Sequence, residues 1–193
     1  MTYKTTEPKA MLLVLTLAAL LFSWAFSGIA SGTGSTLAAL ERVPVHTTDR
    51  GEPPEDRRKR LAEIAEAIDG ATQNLDERAW LIMTARRESG LAKYVSEDHA
   101  RCSEGQGGVC DGGRSFSVWQ LRATKRDLTK AEQAIEALKR FRRAANYCHS
   151  RGVDYFLGGT SQYALGRTFE YGGCAWPEAK ERVAEMRVVR GRL

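Results

Sequence analysis

Residues 74–91 read NLDERAWLIMTARRESGL, and this stretch decides the fold class. Asn74 followed by Glu77 is a capping-box pattern, a side-chain acceptor for orphan helix N–H groups with a carboxylate reaching back. Leu81, Ile82 and Ala85 then recur at helical spacing. The spacing predicts a helix from Asn74 that carries these three inward and runs out at Glu88-Ser89-Gly90, where serine and glycine break the chain. An apolar helix that delivers a carboxylic acid to its own end is the first chemical feature of the sequence.

Working outward, Asp56 to Asp69 places Leu61, Ile64, Ala65 and Ile68 on one face, with Gly70 expected to close the helix. Downstream, Thr129 with Glu132 repeats the capping signal. It opens the strongest helix, whose apolar face is Ala131, Ala134, Ile135, Leu138, Phe141, Ala145 and Cys148. Gly158-Gly159-Thr160 is expected to precede a short helix around Ser161 to Leu165, and Pro177 suits the first turn of a last helix through Val183, Met186 and Val189. Residues 97 to 114 are polar and Gly-rich, which predicts a loop or a small hairpin. No strand pattern competes and no repeat is visible. The expected fold is mainly α, one small helical domain over residues 56–193.

The 193 residues leave room for one such domain behind an apolar head. Ala10 to Ala30 reads AMLLVLTLAALLFSWAFSGIA without a charge, after a start carrying Lys4 and Lys9. A run of that length is enough to span a bilayer core as a helix. Its strongest part, Met11 to Phe22, also has the size of a signal-peptide core, with Ala25-Phe26-Ser27 or Gly28-Ile29-Ala30 as cleavage site. Residues 1–30 are therefore expected to be a signal peptide or a signal anchor, placing the rest in the periplasm or cell envelope. Ser31-Gly32-Thr33-Gly34-Ser35, Pro44 and Gly51-Glu52-Pro53-Pro54 make 31–55 look like a flexible linker, although Leu37 to Arg42 suit a helical turn or two.

The net charge is +5, with basic clusters at Arg57 to Arg60, Lys139 to Arg143 and Arg187 to Arg192. Singly these read as solvated helix faces; together they favour an anionic partner such as cell-wall polymer or membrane headgroups. Nucleic acid is not expected, because export removes the target and no recognition motif appears. All four cysteines, Cys102, Cys110, Cys148 and Cys174, follow the apolar head, and an even count in an exported domain reads as two disulfides. Of the three pairings, Cys102–Cys110 and Cys148–Cys174 are preferred. Zinc is the rival because His99 and His149 are near, but no CxxC or HxxxH spacing supports it.

Three segments then fall in a telling order: Glu88-Ser89-Gly90-Leu91, Gly113-Arg114-Ser115-Phe116-Ser117-Val118-Trp119-Gln120-Leu121, and Tyr163-Ala164-Leu165-Gly166. In this order the chain resembles the lysozyme-like superfamily, in particular soluble lytic transglycosylases and goose-type lysozymes, over roughly residues 60 to 176. The resemblance implies a lysozyme-like α+β fold and cleavage of the β-1,4 bond between N-acetylmuramic acid and N-acetylglucosamine in peptidoglycan strands. It implies Glu88 as catalytic acid, Ser115 or Ser117 as a hydrogen-bonding residue near that acid or the substrate, Gln120 lining the sugar cleft, and Tyr163 with its hydroxyl near the carboxylate. The residues also permit plainer roles: a capping serine, a solvated glutamine, a core tyrosine. This chain departs from the family pattern in its longer stretch between Glu88 and Gln120, in Ala164 after the tyrosine, and in Ser117-Val118-Trp119 before the glutamine.

Glycosidic cleavage needs a carboxyl still protonated when substrate binds, and a helix end against apolar walls can provide one. A muramidase would need a second carboxylate, for which Glu97, Asp98 and Asp111 are the candidates. Lytic transglycosylases need none: one glutamic acid protonates the leaving oxygen, then deprotonates the muramic 6-hydroxyl as a 1,6-anhydro ring closes. With no clear partner, the transglycosylase is the preferred expectation, and no cofactor or metal is required. Trp119 and Tyr94 are candidate sugar-stacking residues that could equally fill the core. A non-catalytic wall-binding protein and a lipid-binding membrane protein are the readings from other classes. Head, spacer and domain suit a signal-anchored endolysin as well as an envelope assembly factor.

Overall fold

The structure, a computed structural model, describes residues 30–96, 115–122, 127–164 and 173–193. The head before Ala30, the Gly-rich segment 97–114 and the Cys102–Cys110 pairing lie outside the described residues. The chain is mainly helical: α1 (Ala30–Glu41), a 3-10 turn (Thr47–Asp49), α2 (Pro54–Ala71), α3 (Leu75–Ser89), α4 (Lys93–Ser96), α5 (Lys130–His149), α6 (Tyr155–Ala164) and α7 (Pro177–Arg190). One two-residue ladder, β1 (Ser115–Phe116) against β2 (Leu121–Arg122), runs antiparallel with Phe116 opposite Leu121.

Helix α3 forms the centre. Every residue from Glu77 to Ala85 is buried, so it is enclosed on all sides rather than along the one stripe of Leu81, Ile82 and Ala85. Trp80 anchors it, with its ring 4.2 Å from Phe141 of α5 and edge-on to Tyr163 of α6 at 4.9 Å. The Trp80 indole N–H donates to Thr160 Oγ1 at 3.2 Å, so the buried donor is satisfied.

Its start differs from the expected capping box. Asn74 does cap the N–H groups of Asp76 and Glu77. The Glu77 carboxylate, however, accepts from Thr72 Oγ1 and from Arg142 of α5, at 2.7 Å on each oxygen for the arginine. Thr72 Oγ1 accepts the Asn74 N–H in its place, at 3.1 Å. A charged tertiary partner outcompetes a single backbone donor. At Thr129 and Glu132 the capping box forms as expected.

The glycines of α2 and α6 also differ from expectation. Gly70 lies inside α2, which ends beyond it at Ala71. Gly158 and Gly159 lie within α6, where α6 crosses α5. A Cβ on Gly159 would stand 2.4 Å from the Phe141 ring, and one on Gly158 would stand 2.3 Å from Cys148 Cβ. Absence of a side chain, not freedom of φ, is what these positions require. The Cys148–Cys174 disulfide closes beside them, with Cα atoms 5.5 Å apart. On the expected apolar face of α5, Ala134, Leu138, Phe141, Ala145 and Cys148 are buried, whereas Ala131 and Ile135 are exposed.

The stretch expected to be a flexible linker is folded where it is described. Thr36, Ala39 and Leu40 of α1, with Val43 beyond it, are buried, and α1 packs along α2. Thr36 Oγ1 donates to Asp69 at 2.7 Å, and Arg57 donates to the Val43 carbonyl at 2.7 Å. Leu37, Leu40 and Val43 recur at helical spacing, and burying them outweighs the Gly/Ser/Pro composition. Among the described residues, no helix is long and apolar enough to cross a membrane.

Candidate active site

Glu88 is the penultimate residue of α3, and the turn after it is held from several directions. Gly90 adopts φ 59° and closes the helix through its N–H to the Arg86 carbonyl. Leu91 follows at φ 54°, a left-handed conformation costly for a side chain with a Cβ. Ser89 Oγ donates to the Ala85 carbonyl at 2.6 Å and accepts the Leu91 N–H at 3.1 Å. Arg60, buried at 7% exposure, donates to the Leu91 carbonyl at 2.6 Å while its other edge pairs with Glu52 at 2.7 Å. Asp49 accepts the Lys93 N–H at 2.7 Å. The His46 ring covers the open face of Gly90, since a Cβ there would be 2.8 Å from it. The supposed linker and the first basic cluster therefore brace the backbone that carries the candidate acid.

The second motif is a tight turn between β1 and β2. Ser117 and Gln120 both have positive φ, 65° and 51°. Two non-glycine residues in this region within one turn are strain that the surroundings must hold. Ser117 is buried and its Oγ accepts the Trp119 N–H at 3.1 Å, so the hydroxyl serves the turn. Gln120 is half-buried, and its N–H donates to the Ser117 carbonyl at 3.0 Å. Ser115 lies in β1 opposite Arg122; its side chain lies outside the described residues. Trp119 fills the core at 1% exposure and donates to the Leu81 carbonyl at 3.1 Å, which removes it from sugar stacking.

Tyr163 connects the second and third motifs. Its hydroxyl donates to the Trp119 carbonyl at 2.6 Å, next to Gln120. Burial pushes its phenol well above the ordinary tyrosine range. The Arg140 cation, 4.6 Å above the ring, pulls the other way, and the Glu88 and Glu136 carboxylates push it further up. The hydroxyl itself is bonded to the hairpin turn.

One partner of Glu88 carries no signal in the sequence. Arg182 of α7 donates through Nη1 to Glu88 Oε1, with side-chain exposures of 15% and 19%. The Arg182 guanidinium also lies 5.4 Å over the Trp176 ring. Trp176 is half-buried, and its N–H donates to Ser161 Oγ at 2.8 Å, two residues after Cys174 of the disulfide. Arg86 and Arg87 both pair with Glu185 of α7 at 2.6 Å, and Arg190 pairs with Asp76 at 2.7 Å, so among the described residues the α3–α7 seam carries four arginine–carboxylate contacts. Glu88 rests in an ion pair, rather than against the apolar wall expected of a standing proton donor.

Glu97, Asp98 and Asp111 lie outside the described residues, as does the Tyr94 side chain of α4. Among the described residues, no group of three or more histidine, cysteine, aspartate or glutamate side chains is arranged to hold a metal ion. Comparison of the chain with protein-family models, with curated proteins and with solved structures found no match.

Proposed function

We propose that the chain is an exported peptidoglycan-cleaving enzyme of the lysozyme-like kind, a lytic transglycosylase with Glu88 as general acid and then general base. The observation that carries this reading is the bond from the Tyr163 hydroxyl to the Trp119 carbonyl, which joins the third motif to the turn bearing Gln120. Two segments separated widely in the chain, and singled out by motif order, are in contact. In the first step Glu88 would protonate the glycosidic oxygen; as carboxylate it would then accept the proton of the muramic 6-hydroxyl while the anhydro ring closes. Gln120, at positive φ and half-buried, holds its Nε2 3.5 Å from the Ser117 carbonyl, and its amide would orient a sugar amide or hydroxyl. The Cys148–Cys174 disulfide supports an oxidising compartment, and with the apolar segment 10–30 it supports export, by a cleaved signal or a retained anchor. The basic balance suits an anionic wall.

The Arg182–Glu88 pair favours a second reading, a wall-binding protein on a similar scaffold without catalysis. Replacing Glu88 by glutamine separates the two. Clearing of a cell-wall suspension by the wild type and not by Glu88→Gln supports the enzyme; equal behaviour of both removes it.

A further inference from the structure

Arg86 and Arg87 on Glu185, and Arg190 on Asp76, already tie α3 to α7. A further contact, Arg182 on Glu88, engages the residue that the proposed chemistry needs to be free. A carboxylate held by a guanidinium must leave it before it can carry a proton to a sugar oxygen. An incoming anion can take its place, since a guanidinium offers two parallel N–H donors to any carboxylate. Peptidoglycan supplies such a group on its stem peptides, whereas chitin-type β-1,4 glycans carry no charge. The Trp176 ring beneath Arg182 offers an apolar surface, and its backbone N–H is held by Ser161 Oγ two residues after Cys174 of the disulfide.

We propose that Arg182 is a specificity-determining residue that exchanges Glu88 for a carboxylate of the substrate, so that the acid is released only when an anionic, peptide-bearing glycan is bound. This rests on the assignment of Glu88 as the acid. Arg182 holds the carboxylate in the empty site and holds the stem peptide in the occupied one. The Trp176 ring lies 5.4 Å from the guanidinium.

Titration calorimetry of the full chain tests this with two probes, a stem-peptide-bearing muropeptide disaccharide and neutral chitotetraose. The wild type should bind the muropeptide more tightly by roughly tenfold, the scale of one charge-assisted contact. Arg182→Gln should lose that preference, binding the two probes alike, and Arg182→Lys should keep part of it. Thermal melting of each variant reports on folding, and the wild-type comparison stands without either variant. Equal affinity of the wild type for the two probes, or an equal loss of both in Arg182→Gln, overturns the exchange and leaves the Glu88 assignment standing. Binding of neither probe by the wild type overturns both.

Discussion

The Tyr163 hydroxyl donates to the Trp119 carbonyl over 2.6 Å, which ties α6 to the strained turn that presents Gln120. Both residues are buried, so the bond is made where water cannot replace it. Tyr163→Phe leaves the carbonyl without its donor, at a cost of about 2 kcal/mol. For a domain of this size the melting temperature should fall by roughly 4–8 °C. Thermal unfolding followed by circular dichroism checks this; an unchanged midpoint would mean that the turn holds itself.

The buried cation Arg60 should matter more. It pairs with Glu52 at 2.7 Å and with Asp49 at 3.7 Å, all three side chains under 10% exposed, and it also holds the Leu91 carbonyl. Arg60→Ala takes the cation from the buried Glu52 carboxylate and from beside Asp49, a change that costs about 3–5 kcal/mol. Urea unfolding should show a midpoint lowered accordingly, and a shift under 1 kcal/mol would contradict the bracing role of this cluster.

These contacts show what was legible in the sequence and what was not. Helix α5 was legible because its capping box, Thr129 with Glu132, is complete within four residues. The same pattern at Asn74 and Glu77 located the helix start, but its reciprocal half is missing because Glu77 is claimed by Arg142, 65 residues away. Gly158 and Gly159 read as a break, yet they are the close-approach face of α6 against Phe141 and Cys148. Composition hid the helix over Ala30–Glu41, since small residues at its start outvoted the later leucines. Arg182 reaches Glu88 across 94 residues, and no local spacing announces such a contact. The acid, the turn and the tyrosine could be picked out as motifs; their partners come from packing.

Opening the Cys148–Cys174 bridge should lower stability by about 3 kcal/mol, the chain-entropy value for its 26-residue separation. The double variant Cys148→Ala, Cys174→Ala, compared with the wild type under non-reducing conditions, gives the number. Equal unfolding midpoints would contradict a formed disulfide.

Acid sensitivity should centre on Glu77. The hydrogen bonds from Arg142 hold its carboxyl below the ordinary value of 4.5, against the opposing effect of burial. A carboxyl whose folded pKa is depressed stabilises the fold above the unfolded value and loses that contribution as pH falls through the folded one. Stability should therefore drop below about pH 4.5 in the wild type, and the drop should be shallower in Glu77→Gln. Parallel pH curves for the two proteins would contradict this assignment.

Glu88 as proton donor and acceptor is tested most directly by mass spectrometry of muropeptides released from purified cell walls by the full chain and by Glu88→Gln. The account predicts fragments ending in 1,6-anhydro-muramic acid from the wild type and none from the variant. A wall left intact by the wild type, or the same fragments from both proteins, would contradict it.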